Sequence, residues 1–166
     1  MDAVDGGLLL VRVMVGCTFA AHGFNKFYGG GRIPGTARWF DSIGMRPGRR
    51  HAIAAAGTEV GAGLLLAFGL LTPFAAAAMV AVMLVAAWTV HRSAGFFSAG
   101  GGWEYNAVLA VVAISVAITG PGRASLDHAA GIEVAGIAGA AIAVILGLAS
   151  GAGQLMLFFR PPTPIP

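Results

Sequence analysis

Five apolar runs, each near the length needed to cross a bilayer, take up most of this chain. A spanning helix needs about 20 mostly apolar residues, and in hydrocarbon its backbone must satisfy its own hydrogen bonds. Helices do this and open sheets do not, so the pattern predicts an all-α polytopic membrane protein. The expected spans cover residues 7–28, 52–71, 74–91, 103–119 and 132–158. LTP, ending at Pro73, forms a very short turn between the second and third. GPG, at 120–122, stops the fourth. The tail PPTPIP, at 161–166, cannot continue a helix.

Composition agrees. Hydrophobic residues make up 57% of the chain and charged residues 10%, against about a quarter charged in soluble domains. The net charge of +3 rests on few basic residues clustered between apolar runs, which argues against a nucleic-acid partner. Cys17 is the one cysteine, so neither an internal disulfide nor a two-thiol cycle is available without a partner's thiol. In an apolar run it reads as small filler. The acidic start MDAVDGG lacks the basic n-region of a signal peptide, so the first run is expected to stay as a transmembrane helix.

With five spans, the first loop, the third loop and the C-terminus share one side of the membrane, here side B. Lys26, Arg32, Arg38, Arg46, Arg49, Arg50, Arg92 and Arg160 fall there. Side A has Arg12 and Arg123 with Asp2, Asp5, Asp127 and Glu133. The positive-inside rule puts side B in the cytoplasm. In the first loop, YGGGRIPG is turn material, and TARWFDSIGM, 36–45, spaces Trp39, Phe40, Ile43 and Met45 as an interfacial helix would. FFSAGGG, 96–102, is a second loop.

The polar residues inside the spans gather on side B. His22 and Lys26 are four apart and share a helix face, with Asn25 beside them. His22 lies roughly 9 Å, and Glu59 roughly 10 Å, from the side-B ends of their helices. His91 ends the third span there, and Glu104 and Asn106 begin the fourth. A central charge costs roughly 2.5–3.5 kcal/mol on insertion scales. Glu59 is therefore expected to pair with His22 or Lys26, or to stay protonated. Any one of these residues could be structural glue, worth about 0.6 kcal/mol. Together, His22, Glu59, His91 and Glu104 read as a functional pocket. A histidine and a carboxylate beside a lipid-soluble carrier are what quinone protonation needs. No HxxxH or ExxH spacing is present, so a metal site is not expected.

Small residues carry a second pattern. Gly57 and Gly61 are expected to pack within the monomer. Ala135, Gly139, Ala143, Gly147 and Gly151 form a stripe down the fifth span, which could pack inside the monomer or dock a second copy or subunit.

The order of motifs resembles the DoxX family of small membrane proteins. The match runs through LVRVMVGCTFAAHGFNKF, with an HGxxK element at His22, Gly23 and Lys26, and EVGAGLLLAFGLLTP from Glu59. It continues with GFF at 95–97, GGGWEY at 100–105 and TGPGRASLD at 119–127. The resemblance implies a four-helix membrane core, here residues 1–128 with a basic loop at 29–51. It also implies a link to redox chemistry, since relatives look like the small subunit of thiosulfate:quinone oxidoreductases. The chain departs from the family in a fifth span, within 129–159, before a Pro-rich tail at 160–166. It also has Pro73 where relatives often carry an arginine, which would mark that turn as cytoplasmic. The family pattern thus suggests an inside N-terminus. The charge count, which comes from this sequence, favours the opposite.

Two functions from different classes follow, with a weaker third. The first is a quinone-linked redox subunit of a bacterial plasma membrane. In it His22, Lys26 and Glu59 carry the chemistry, and Asn25, His91, Glu104 and Asn106 line the pocket. No flavin, haem or iron–sulfur motif is visible, so electrons would come from a partner or the substrate. The second is a non-catalytic assembly or anchoring subunit, docked to other membrane subunits or to its own copies. A small-molecule transporter is the third, disfavoured because no inverted repeat of broken helices is visible.

Overall fold

The computed structural model describes residues 2–161, and the expectation for the proline tail lies almost wholly outside them. The described chain is helical with no strands. Its spans are α1 (Ala3–Tyr28), α3 (Gly48–Phe68), α4 (Thr72–Ala94), α5 (Glu104–Thr119) and α7 (Gly136–Phe158). Two shorter helices, α2 (Arg32–Ser42) and α6 (Leu126–Ala130), lie between them. Four of the spans are long and apolar enough to cross a membrane, and α5 is a shorter apolar helix. Its 16 residues reach about 24 Å. The outward faces carry Leu10, Met14, Val111, Ile137 and Met156, all strongly exposed. Such a girdle suits lipid, not water.

Helix boundaries follow local chemistry. α1 starts earlier than hydropathy suggests because Asp2 and Asp5 form a reciprocal capping box. α2 also starts earlier than expected, at Arg32, and Trp39 and Phe40 sit near its end. α3 begins at Gly48, taking in Arg49, Arg50 and His51. Proline at the start of α4 fits, since its missing N–H would be unpaired there anyway. π-helical turns interrupt α4 at Ala87–His91 and α7 at Ile142–Leu146.

The core lies between α1, α3, α4, α5 and α7, around Phe19, Leu66, Met79 and Val116. α1 and α3 pack most closely. A Cβ on Gly16 would stand 2.4 Å from the Gly63 carbonyl oxygen, and one on Gly23 2.6 Å from that of Ala56. Gly57 and Gly61, expected to pack within the monomer, have no neighbour there within 4 Å. They face outward, one residue past Ala56 and two before Gly63, the residues that line the seam. The α7 stripe does pack inside the monomer. Gly139 meets the Ala117 carbonyl, Gly147 meets Val80 and Ala77, and Gly151 meets Ala81 and Leu84. Ala143 is fully buried. The end of α7 is tied to the loop before α3. Arg160 N–H donates to the Gly44 carbonyl at 2.8 Å and Arg46 N–H to that of Phe158 at 3.3 Å.

Candidate functional site

The side-B half contains a cavity of about 150 Å³. Ala55, Thr58 and Glu59 of α3 form one wall. Val82, Val85, Thr89 and Val90 of α4 form another. Trp39 and Phe40 of α2 roof it, Lys26 closes the α1 edge, and Gln154 of α7 closes the far edge. The lining is mostly apolar with a few polar groups, the usual make-up of a small-molecule site. α2 lies over this end because its apolar residues pack downward: Phe40 is buried with Ala37, Met45, Ala52 and Val85. Part of the α4 wall is the π-helical turn, a feature that recurs at functional sites.

Lys26 and Glu59 meet in this wall, with Nζ 2.5 Å from Oε2. Only 7% of the Glu59 side chain is exposed, against 21% for Lys26. The Gly23 approach sets the geometry, because a glycine one turn before Lys26 lets α1 lie against the α3 backbone beside Glu59. Lys26 also lines a second, surface depression with His22, Asn25, Thr36 and Trp39. The ion pair therefore stands between an exposed polar dent and the inner cavity.

The other expected residues are placed differently. His22 is exposed, its ring 6.3 Å from that of Tyr105. Asn25 lies in the surface dent. His91 Nδ1 bonds the Gly101 carbonyl at 2.7 Å, and Glu104 Oε2 accepts from the Ser98 N–H and hydroxyl at 2.9 Å each. These two fasten the loop before α5 and are not among the residues lining the cavity. Asn106 is buried, with Nδ2 against the Met83 sulfur at 3.6 Å and Oδ1 unpartnered, and it too lies outside the cavity lining. Equal depth in the membrane is not equal direction: of His22, Glu59, His91 and Glu104, Glu59 alone lines the cavity, paired with Lys26, while His22 is exposed and the other two fasten a loop. Among the described residues, no three His, Cys, Asp or Glu side chains are grouped as metal ligands.

Several contributors were not anticipated. Thr58 and Thr89 sit in apolar spans with no polar-in-span signal strong enough to single out, and Trp39 and Phe40, expected on an interfacial helix, were not expected as cavity walls. Gln154 did carry one: it is the one carboxamide in the fifth run. Its Nε2 lies 3.1 Å from Nδ1 of His51. His51 is buried between the rings of Phe40 and Phe158, at 6.3 and 5.0 Å between centroids.

Fold and site together define a small helical membrane protein with one charged pair walling an intramembrane cavity. The DoxX family model matches residues 7–92, and this chain belongs to that family. It is similar to a Bacillus subtilis (strain 168) protein named "Putative oxidoreductase CatD", 35% identical over 121 residues, covering 73% of this chain and 84% of the relative. No solved structure gives a significant match.

Proposed function

We propose that this protein is a redox-associated membrane subunit whose side-B cavity takes the head group of a quinone-class carrier. The observation that carries the reading is the Lys26–Glu59 pair at the wall of an apolar cavity. A cavity near 150 Å³ admits about one benzene-sized ring. The similarity to a protein named as an oxidoreductase supports the redox link. A quinone becomes its quinol by taking two electrons and two protons. Lys26 faces both cavity and surface dent, so a proton given up to the carrier is replaced from side B, with Glu59 stabilising the charged ammonium. Exposed His22 supplies the surface end of that route. Electrons come from a partner protein or the substrate.

Native mass spectrometry of the protein extracted in its own lipids tests this reading. A quinone that is retained by the wild type and lost in Glu59→Gln is the expected result. A protein that carries no quinone and arrives in a larger complex would overturn it in favour of the anchoring role.

A further inference from the structure

The family match ends at residue 92, yet the cavity has a polar group from beyond it. Gln154 lines the edge contributed by α7, while Lys26 and Glu59 belong to α1 and α3. We infer that Gln154 is a binding residue for the carrier's head-group oxygen, and that His51 is the positioning residue that aims it. This rests on the quinone-class reading above and adds a specificity-determining pair to the same site.

Three observations carry it. The first is placement: Gln154 is partly buried and its side chain belongs to the cavity lining. The second is that one end of its amide is engaged, by His51 Nδ1 at 3.1 Å, and its remaining hydrogen-bonding atoms have no protein partner among the described residues. The third is that His51 Nε2 is buried and without a partner. An imidazole sunk between two rings, with one nitrogen left unpaired, is costly. Its one polar contact is to Gln154, so aiming that amide is the gain the arrangement offers.

The chemistry suits a carrier that changes its hydrogen-bonding character. A quinone presents carbonyl oxygens that accept; a quinol presents hydroxyls that donate. A glutamine amide offers both an N–H and a C=O. With the His51 proton on Nε2, the amide NH₂ donates to Nδ1 and its carbonyl is free to accept from a quinol. With the proton on Nδ1, the amide turns over, its carbonyl accepts from His51, and NH₂ is free to donate to a quinone. Because Nε2 has no fixed partner, no other bond in the protein opposes the exchange. The fifth helix thereby completes the site as well as packing the bundle.

The test is binding of decyl-benzoquinone and its hydroquinone to the purified full chain, read by quenching of tryptophan fluorescence, since Trp39 lines the cavity. Gln154→Leu keeps the side chain's bulk and removes the amide. It is expected to weaken both ligands about three- to tenfold, the worth of one hydrogen bond, with thermal unfolding unchanged within a few degrees. His51→Phe is expected to weaken binding similarly. His51→Asn, which restores a polar atom near the Nδ1 position, is expected to recover most of it, which a purely structural role would not do. Wild-type affinity retained in a folded Gln154→Leu protein overturns the inference and leaves the quinone-class reading standing. Failure of His51→Asn to recover binding removes His51 from the proposal. If the wild type binds neither ligand, the quinone-class reading falls and this inference falls with it.

Discussion

The two ends of the bundle use charge in opposite ways. On side A, Arg12 is fully buried at the α1–α3 seam. Its guanidinium donates to the carbonyls of Ala67 at 2.9 Å and Ala124 at 2.7 Å. Asp127 closes the same region from α6: its carboxylate accepts from the N–H groups of Leu71 and Thr72 and from the Thr72 hydroxyl, all within 2.9 Å. Leu71 holds a left-handed φ of 49°, uncommon for a side-chain-bearing residue, and Asp127 supplies the partner its N–H needs there. Gly69, with φ 62°, is needed for space as well: a Cβ would lie 2.5 Å from the Arg12 guanidinium. On side B, by contrast, Lys26 and Glu59 bind each other and open onto a cavity. Charges bound to backbone carbonyls and amides are fixed with the fold. A pair bound side chain to side chain can exchange a proton or a ligand without unfolding anything. The contrast separates a structural lock from a site.

Removing the lock is expected to have the largest effect. Arg12→Met fills most of the volume but strips two backbone carbonyls of their donor and leaves Asp127 without the nearby positive charge. Loss of one partner from a buried charged network costs about 3–5 kcal/mol. The expected outcome is a large fall in thermal unfolding temperature in detergent and in membrane abundance. Arg12→Met at wild-type stability would break the distinction between the two ends.

The seam joining the ends offers a sharper comparison of intermediate size. Gly16→Ala and Gly23→Ala both place a methyl against backbone, at 2.4 and 2.6 Å from carbonyl oxygens, and overpacking of this kind costs about 1–3 kcal/mol. The stability losses are expected to be similar. Only Gly23→Ala is expected to weaken quinone binding in the fluorescence titration, because its methyl also meets Glu59 Cβ at 2.8 Å and pushes the pair apart. Equal binding losses in both variants would mean that the site responds to general loosening of the bundle.

Much of this was legible in the sequence. Apolar length gave every span, and the rule that buried charges pair gave Lys26 as one of two partners for Glu59. Depth also brought His91 and Glu104 to the right membrane half. It did not give their azimuth, and whether a side chain faces cavity or loop depends on helix rotation. His51 was invisible for a related reason: hydropathy begins the second span at Ala52, leaving His51 outside it, whereas α3 begins at Gly48. Gly57 and Gly61 show the same limit, since four-residue spacing says that two glycines share a face but not which face is covered. The side-A lock was present as TGPGRASLD, a motif of the family resemblance. Its purpose appears only when Ala124 and Asp127 are seen against Arg12 and Thr72.

At side B, Glu59→Gln separates stability from function. Glutamine keeps the shape and a hydrogen bond to Lys26 but not the charge. Stability is expected to change by about 1 kcal/mol or less, the scale of polar contacts within membrane bundles. Quinone binding and any proton-coupled turnover are expected to be lost at unchanged abundance. A loss of stability rivalling that of Arg12→Met would mean that the side-B pair is a second lock.

The smallest effect tests Asn106, the buried amide on α5. Its Nδ2 has only a weak sulfur acceptor at 3.6 Å, and its Oδ1 has none. A buried unsatisfied polar atom costs about 1–3 kcal/mol, and replacing it with an apolar group of similar shape is often neutral or favourable. Asn106→Leu is accordingly expected to leave the unfolding temperature unchanged or slightly raised. Since Asn106 lies outside the cavity lining, the variant is also expected to bind decyl-benzoquinone as the wild type does. Lost binding at full stability would extend the site along α5 beyond its present walls. A clear loss of stability would show that this amide holds α5 to α4, and would move it from the open side of the comparison to the locked one.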